Sequence, residues 1–172
     1  MIHPRKLIVP TLLLVMNMIG IAGAQQPSSS AANPNADQRF VEQIGAGGMA
    51  EVELSQLALT NSSSTAVRSF ALHMIEAHRL SDKELALAAK ASNLIVSTEP
   101  DSGHIALQSA LTTKQGTDFD HAYMEAMRRD HERMVGLLQE EALTTDVNLR
   151  AFAIKTLPAV QLHLQMAMKL NM

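Results

Sequence analysis

The sequence predicts an all-α protein: four long amphipathic helices packed as a bundle, with an extended connection between the second and the third. Three observations predict it. Apolar residues recur every three or four positions through four separate segments, the period of one helix face. No segment shows the two-residue alternation and β-branched enrichment of a strand. The stretch Asn93 to Gly116, with Pro100 and Gly103 inside it, is too long for a turn between neighbouring helices. It has the length that a crossover along a bundle needs.

Residues 1–24, MIHPRKLIVPTLLLVMNMIGIAGA, read as a secretory signal peptide. Arg5 and Lys6 supply the positive start, Leu7 to Ile21 the apolar run, and Ala22-Gly23-Ala24 the small-residue cleavage site. The run is short for a membrane span and Pro10 breaks it, so cleavage is favoured over an uncleaved anchor. Gln25 to Ala36 is a polar tether containing Ser and Pro, with too little apolar content to fold. The bundle domain then occupies residues 37–172.

Its first helix starts near Asp37 and runs to about Thr60, with a stripe of Phe40, Ile44, Gly47, Glu51, Leu54 and Ala58. Gly45, Gly47 and Gly48 each forfeit about 1 kcal/mol of helix propensity relative to Ala. Either a neighbour approaches closely there or the helix kinks. Ser64 is placed to cap the second helix. That helix runs to about Ser92 on a stripe of Phe70, Met74, Ala77, His78, Ser81, Leu85 and Ala88. A short helix around Ile105 to Leu111 fits inside the crossover. Thr117 and Asp120 form a capping-box-like start for the third long helix, which ends at Glu141. Its apolar arc holds Phe119, Tyr123, Ala126, Met127, Met134, Leu137 and Leu138. Thr144-Thr145-Asp146 turns the chain into the fourth, striped with Leu149, Phe152, Ala153, Thr156, Val160, His163, Ala167 and Leu170. Pro158 inside this pattern predicts a kink.

Charge and composition narrow the function. The chain has 14 basic and 17 acidic residues, and the signal peptide takes two basic and no acidic side chains with it. That acidic balance counts against nucleic acid as a partner. With no cysteine there are no disulfides, no thiolate chemistry and no acylated N-terminal Cys. The compartment implied is the periplasm or cell envelope of a bacterium. No Ser–His–Asp arrangement, phosphate loop or nucleotide fingerprint is present, and Gly45-Ala46-Gly47-Gly48 follows no strand.

Each of the four stripes is interrupted near its middle by a potential metal ligand: Glu51, His78, His131 and His163. Counted from the turns, the four heights agree within roughly 5 to 10 Å. A repeated Met-x-x-x-His unit, Met74 to His78 and Met127 to His131, fits parallel second and third helices at matching height. Asp130 borders His131, and Tyr123 lies two turns away on the same helix, so both are candidates for support around the site. Ionisable groups in a core are costly unless paired or bound to metal. Three His and one Glu suit copper, zinc or iron. The same four also suit a metal-free network of carboxylate and imidazole hydrogen bonds, so the alternative stays open. Met74, Met127 and Met134 on these stripes suit soft Cu(I), but read more simply as core filler. Asp101 with His104, and Asp118 with His121, have short carboxylate–His spacing at a loop and a helix start, where capping accounts for them. His73 and Glu76 point away from the stripe, toward solvent.

The motifs carry a family resemblance. Ala50-Glu51-Val52-Glu53 with Leu57-Ala58, and Phe70-Ala71 with Met74, His78 and Glu84-Leu85, form its first half. Phe119-Asp120 with Tyr123 and Asp130-His131, and Leu157-Pro158 with His163-Leu164, form its second. They resemble a bacterial exported family known as domain of unknown function 4142, whose members are often labelled outer membrane proteins and have a ferritin-like bundle. The resemblance covers nearly all of Phe40 to Leu170. Ala77 stands where the family usually has Asp before the second-helix His. The resemblance implies fold and export rather than an activity. Di-iron ferritin-like enzymes use Glu-x-x-His on two helices, and no Glu-x-x-His occurs here, which counts against ferroxidase or oxygenase chemistry.

Two readings therefore lead. In one, a non-enzymatic periplasmic bundle binds one transition-metal ion at Glu51, His78, His131 and His163 for storage, buffering or stress protection. In the other, the same residues form a metal-free polar core of an envelope module whose outer face binds another protein or a second copy. Membrane attachment is compatible with either. An enzyme activating water at an open metal position ranks third, since no residue names a substrate.

Overall fold

The computed structural model describes residues 34–170, so the expected signal peptide and most of the expected tether lie outside the described residues. The described chain is all helical: α1 Pro34–Asn61, α2 Thr65–Ala91, α3 Ser102–Thr112, α4 Gly116–Glu141 and α5 Val147–Leu170. The four long helices are the four expected, and α3 is the short helix of the crossover. The tether's last three residues are helical, a small correction: Pro34 opens α1, where its missing N–H has no helical partner to lose. α5 continues as one element through Pro158. Among the described residues, no helix is long and apolar enough to cross a membrane.

Hydrogen bonds between helix ends fix the directions. The Asn61 amide donates to Lys114 O at 2.9 Å, and Ser63 Oγ donates to Asp120 Oδ2 at 3.1 Å. These bonds join the α1–α2 turn to the start of α4. At the other end Ser92 Oγ donates to Asp146 Oδ1 at 2.8 Å, and Thr144 Oγ1 to Asp37 Oδ1 at 3.0 Å. So α1 and α5 run one way, α2 and α4 the other. The parallel pairs are the diagonals, as a full-length crossover between α2 and α4 requires. The crossover lies along α1. Gln38 bonds Ile95 through both its amide nitrogen and its amide oxygen, and Gln108 reaches Glu53 further up.

Caps show where local sequence sets helix starts. Ser64 caps α2 by accepting from Val67 N at 3.3 Å. Asp146 caps α5, accepting from the backbone N–H groups of Asn148 and Leu149 at 2.9 Å each. The capping box expected at Thr117 and Asp120 is not formed. α4 opens at Gln115 without a side-chain cap, and Gly116 takes a positive φ of 58° to enter it. Asp120 is instead engaged by Ser63 across the bundle end, a tertiary contact that overrides the local motif.

The α1 glycines mark close approach within one unbroken helix. A Cβ on Gly45 would meet Val96 Cγ1 of the crossover at 2.7 Å, and one on Gly47 would meet Met134 Cε at 2.7 Å. The two collisions differ in kind. Val96 is β-branched and stiff, whereas the Met134 methyl ends a flexible chain that can swing aside. Gly45→Ala should therefore destabilise by about 1 kcal/mol net, overpacking outweighing propensity. Gly47→Ala should be neutral or stabilising by up to about 1 kcal/mol. Urea unfolding midpoints check both, and equal destabilisation would refute the distinction.

Candidate metal centre

The core divides into two apolar clusters with a polar layer between them. One holds Leu54, Phe70, Met74, Phe119, Tyr123 and Met127; the other holds Phe40, Ile44, Leu85, Met134, Leu149 and Phe152. Along each long helix, the step from one cluster to the other passes a single buried ionisable side chain. These are Glu51 on α1, His78 on α2, His131 on α4 and His163 on α5, exposed by 0, 5, 0 and 4%. The structure thus brings all four expected residues into one layer. The stripes dictate this, because each residue sits on the buried face of its helix at the same height.

One ring nitrogen from each of His78, His131 and His163 lies within 4.8 Å of the other two. Ring centroids are 5.6 Å apart for His78–His131, 5.7 Å for His78–His163 and 5.4 Å for His131–His163. Glu51 completes the group, with Oε2 2.5 Å from His78 Nε2 and Oε1 3.2 Å from His131 Nδ1. Glu51 thus has the rings of His78 and His131 as its polar partners, whereas His131 Nε2 and His163 Nδ1 are buried without a hydrogen-bond partner.

Electrostatics leave Glu51 ionised and His163 neutral, each with a lone pair to donate. His131 Nδ1 donates to Met127 O at 2.8 Å; a carbonyl only accepts, so this bond places the proton on Nδ1. In the neutral ring Nε2 then carries the lone pair, the arrangement by which a second partner orients a ligating imidazole. Burial lowers the His163 pKa to about 3, helped by the positive fields of His78 and His131, so this ring is neutral. Burial alone would push Glu51 up, but the His131 and His78 fields outweigh it and hold the carboxylate ionised. Burial pulls His78 down, and the Glu51 charge and contact raise it beyond that.

Neighbouring candidates fall elsewhere. Tyr123 is buried but shares its hydroxyl with Ser55 Oγ at 2.7 Å, within the apolar cluster next to the layer. Asp130, expected beside His131, points outward; one oxygen accepts from Arg133 at 2.9 Å and the other lies 3.3 Å from His104 Nε2. A helix turns each successive residue by about 100°, and here that step carries Asp130 from the His131 layer to the α3 side. Met74, Met127 and Met134 pack into the apolar clusters, the core-filling alternative. His121 is exposed.

Three residues contribute more than the sequence suggested. Asp82, one turn after His78, fills the space that Gly48 leaves against α1. Burial and the Glu51 charge, against the pull of His78, push its carboxyl up to about 6. The i, i+4 spacing of His78 and Asp82 was the available signal. His73, read as solvated, is exposed, yet its ring stands edge-on to His163 at 5.0 Å. His104, read as part of a cap, is 5% exposed and ties α3 to α4 through Asp130, while Asp101 Oδ2 lies 2.8 Å from its Nδ1.

A cleft of about 500 Å³ opens at the far end of the bundle, lined by Asp37, Phe40, Gln43 and Glu141, away from the histidines. Burial, then repulsion from Asp37 and Asp146, raises Glu141 to about 7. Between the unfolded value of 4.5 and about 7, the folded state holds a proton that the unfolded chain has lost. This contribution to stability is complete below 4.5 and disappears as pH rises through about 7. Glu141→Gln should flatten that slope and stabilise the protein at pH 8 by about 2 kcal/mol. Urea melts across pH 4 to 8 test it; an unchanged slope would be the contrary result.

Solved structures with the same fold place the geometry in context. A DUF305 fragment from Deinococcus radiodurans aligns with a TM-score of 0.70 at 15% identity, over 81% of this chain and 97% of that one. CopM in its Cu(II)-bound form aligns with a TM-score of 0.64 at 16% identity, over 78% and 95%. A DUF305 protein from Streptomyces coelicolor, classed as secreted, aligns with a TM-score of 0.64 at 15% identity, over 77% and 88%. At these identities the likeness establishes the helical-bundle fold alone. No curated protein matches the chain significantly by sequence. The family model described as Domain of unknown function (DUF4142) matches residues 22–170, and the chain belongs to that family.

Proposed function

We propose that this protein is an exported bundle that binds one transition-metal ion through His78, His131 and His163, with Glu51 as the charged fourth group. Copper(II) is the favoured ion, and metal handling or stress protection in the envelope the favoured role. One observation carries the reading: three buried imidazoles and a buried carboxylate converge in one layer, with His131 Nε2 and His163 Nδ1 left without hydrogen-bond partners. The metal-free alternative requires a network that satisfies its members, since each orphaned buried polar group costs about 1–3 kcal/mol. A cation bridging three imidazoles and a carboxylate removes that cost. Imidazole with carboxylate suits copper, zinc and iron. The Cu(II)-bound state of a protein of similar fold supports copper among the three.

Export rests on the signal-peptide reading of residues 1–24 and on a fold relative classed as secreted. Partner docking, the second reading, is supported by exposed apolar side chains on two adjacent helices: Leu72, Leu80 and Leu87 on α2, and Ile154 and Leu162 on α5. It is compatible with the metal site, not a replacement for it. The deciding experiment is elemental analysis of untagged protein purified from periplasm without chelator. Near-stoichiometric metal, absent from a His78/His131/His163 triple Ala variant, is expected. Metal-free protein that also stays metal-free in Cu(II), Zn(II) and Fe(II) titrations would overturn the reading.

A further inference from the structure

All four groups of the layer are 0 to 5% exposed, so an ion reaching them must leave water before it meets them. The helices on every side are long and continuous at this height, and two clefts on the described surface are lined by other residues. One imidazole joins the layer to solvent. His73, on α2, is exposed and stands perpendicular to His163, with ring centroids 5.0 Å apart. His163 is in turn 5.7 Å from His78 and 5.4 Å from His131. The four rings thus run from surface to core, with neighbouring centroids 5.0 to 5.7 Å apart. His73 and His163 come from α2 and α5, so this line of rings enters at the seam between these helices.

Resting on the metal-centre reading, we propose that His73 is the surface acceptor that captures Cu(II) and hands it to His163. The bond changes balance without redox chemistry. A ring nitrogen of His73 replaces one water on aqueous Cu(II); the His163 nitrogen then forms a bond as the His73 bond breaks. The ion keeps its charge throughout. His73 lies outside the final ligand set, so it affects the rate of loading and release and leaves the bound state unchanged.

The test is stopped-flow loading of the metal-free mature protein with Cu(II), alongside chelator-driven release, equilibrium titration and the electron paramagnetic resonance spectrum. The sole tyrosine, buried Tyr123, gives a fluorescence signal within one cluster of the site. His73→Ala is expected to slow loading and release together by about tenfold, within the range over which association rates vary among variants of one site. Affinity and spectrum should match the wild type. His121→Ala, which removes another exposed imidazole, should change nothing. Wild-type rates in His73→Ala would overturn the proposal. So would weakened affinity with an altered spectrum, which would make His73 a ligand of the centre. If the wild-type protein itself takes up no Cu(II), the metal-centre reading fails and this inference fails with it, an outcome distinct from the other two.

Discussion

Adding Cu(II) to the metal-free protein should raise its melting temperature by on the order of 10 °C, and replacing His78, His131 and His163 with Ala should abolish the rise. A ligand that binds only the folded state stabilises it by mass action, about 4 kcal/mol at a thousandfold excess over Kd. For a chain of this length each kcal/mol moves the midpoint by roughly 2 to 4 °C. The unfolded chain cannot reproduce the site, because its donors come from α2, α4 and α5, separated by more than thirty residues along the sequence. The shift therefore reports preorganised binding. The metal-free triple variant provides the control. It leaves Glu51 buried without its imidazole partners, so its own lower melting temperature is the baseline against which added metal is read. A melt unmoved by Cu(II), Zn(II) and Fe(II) would leave the layer as a register-setting polar core.

The fold was legible because each long helix announces itself twice, by a stripe and by a punctuated end. Phe40, Ile44, Leu54 and Ala58 on α1 are all buried as their spacing requires, and Ser64 caps α2 as its position requires. The polar layer was legible for the same reason, since an ionisable residue on an otherwise apolar face points inward. What failed was local. Asp120 had the spacing of a capping box, but Ser63 from the α1–α2 turn takes its carboxylate. Asp130 adjoins His131 in sequence, yet one step along a helix turns it toward His104 and Arg133. His73 was read as no more than solvated and Asp82 was not singled out, because their significance lies in what meets them across an interface: His163 on α5 and Gly48 on α1. A single stripe carries no record of its neighbours.

The second large effect should come from Glu51. In the presence of chelator, Glu51→Gln should destabilise the protein by about 3 kcal/mol, because it strips a buried charge from its imidazole partners. The carboxylate is wholly buried, and its ionised state depends on His131 and His78. Replacing both Glu51 and His78 with Leu should recover most of that loss, since apolar pairs of similar volume commonly match or exceed a buried ion pair. Urea melts of the wild type, Glu51→Leu, His78→Leu and the double variant give the coupling directly. A double variant as unstable as Glu51→Gln would mean that the layer is structural in its own right. The expected recovery has a sharper implication. If an apolar layer folds at least as well, then Glu51 and the histidines are not there to hold the bundle together. A core that gives up stability at one level, with donors from all four long helices converging there, is arranged for what binds to it. Cu(II) titration of the double variant completes the argument: it should be as stable as the wild type without metal and bind none.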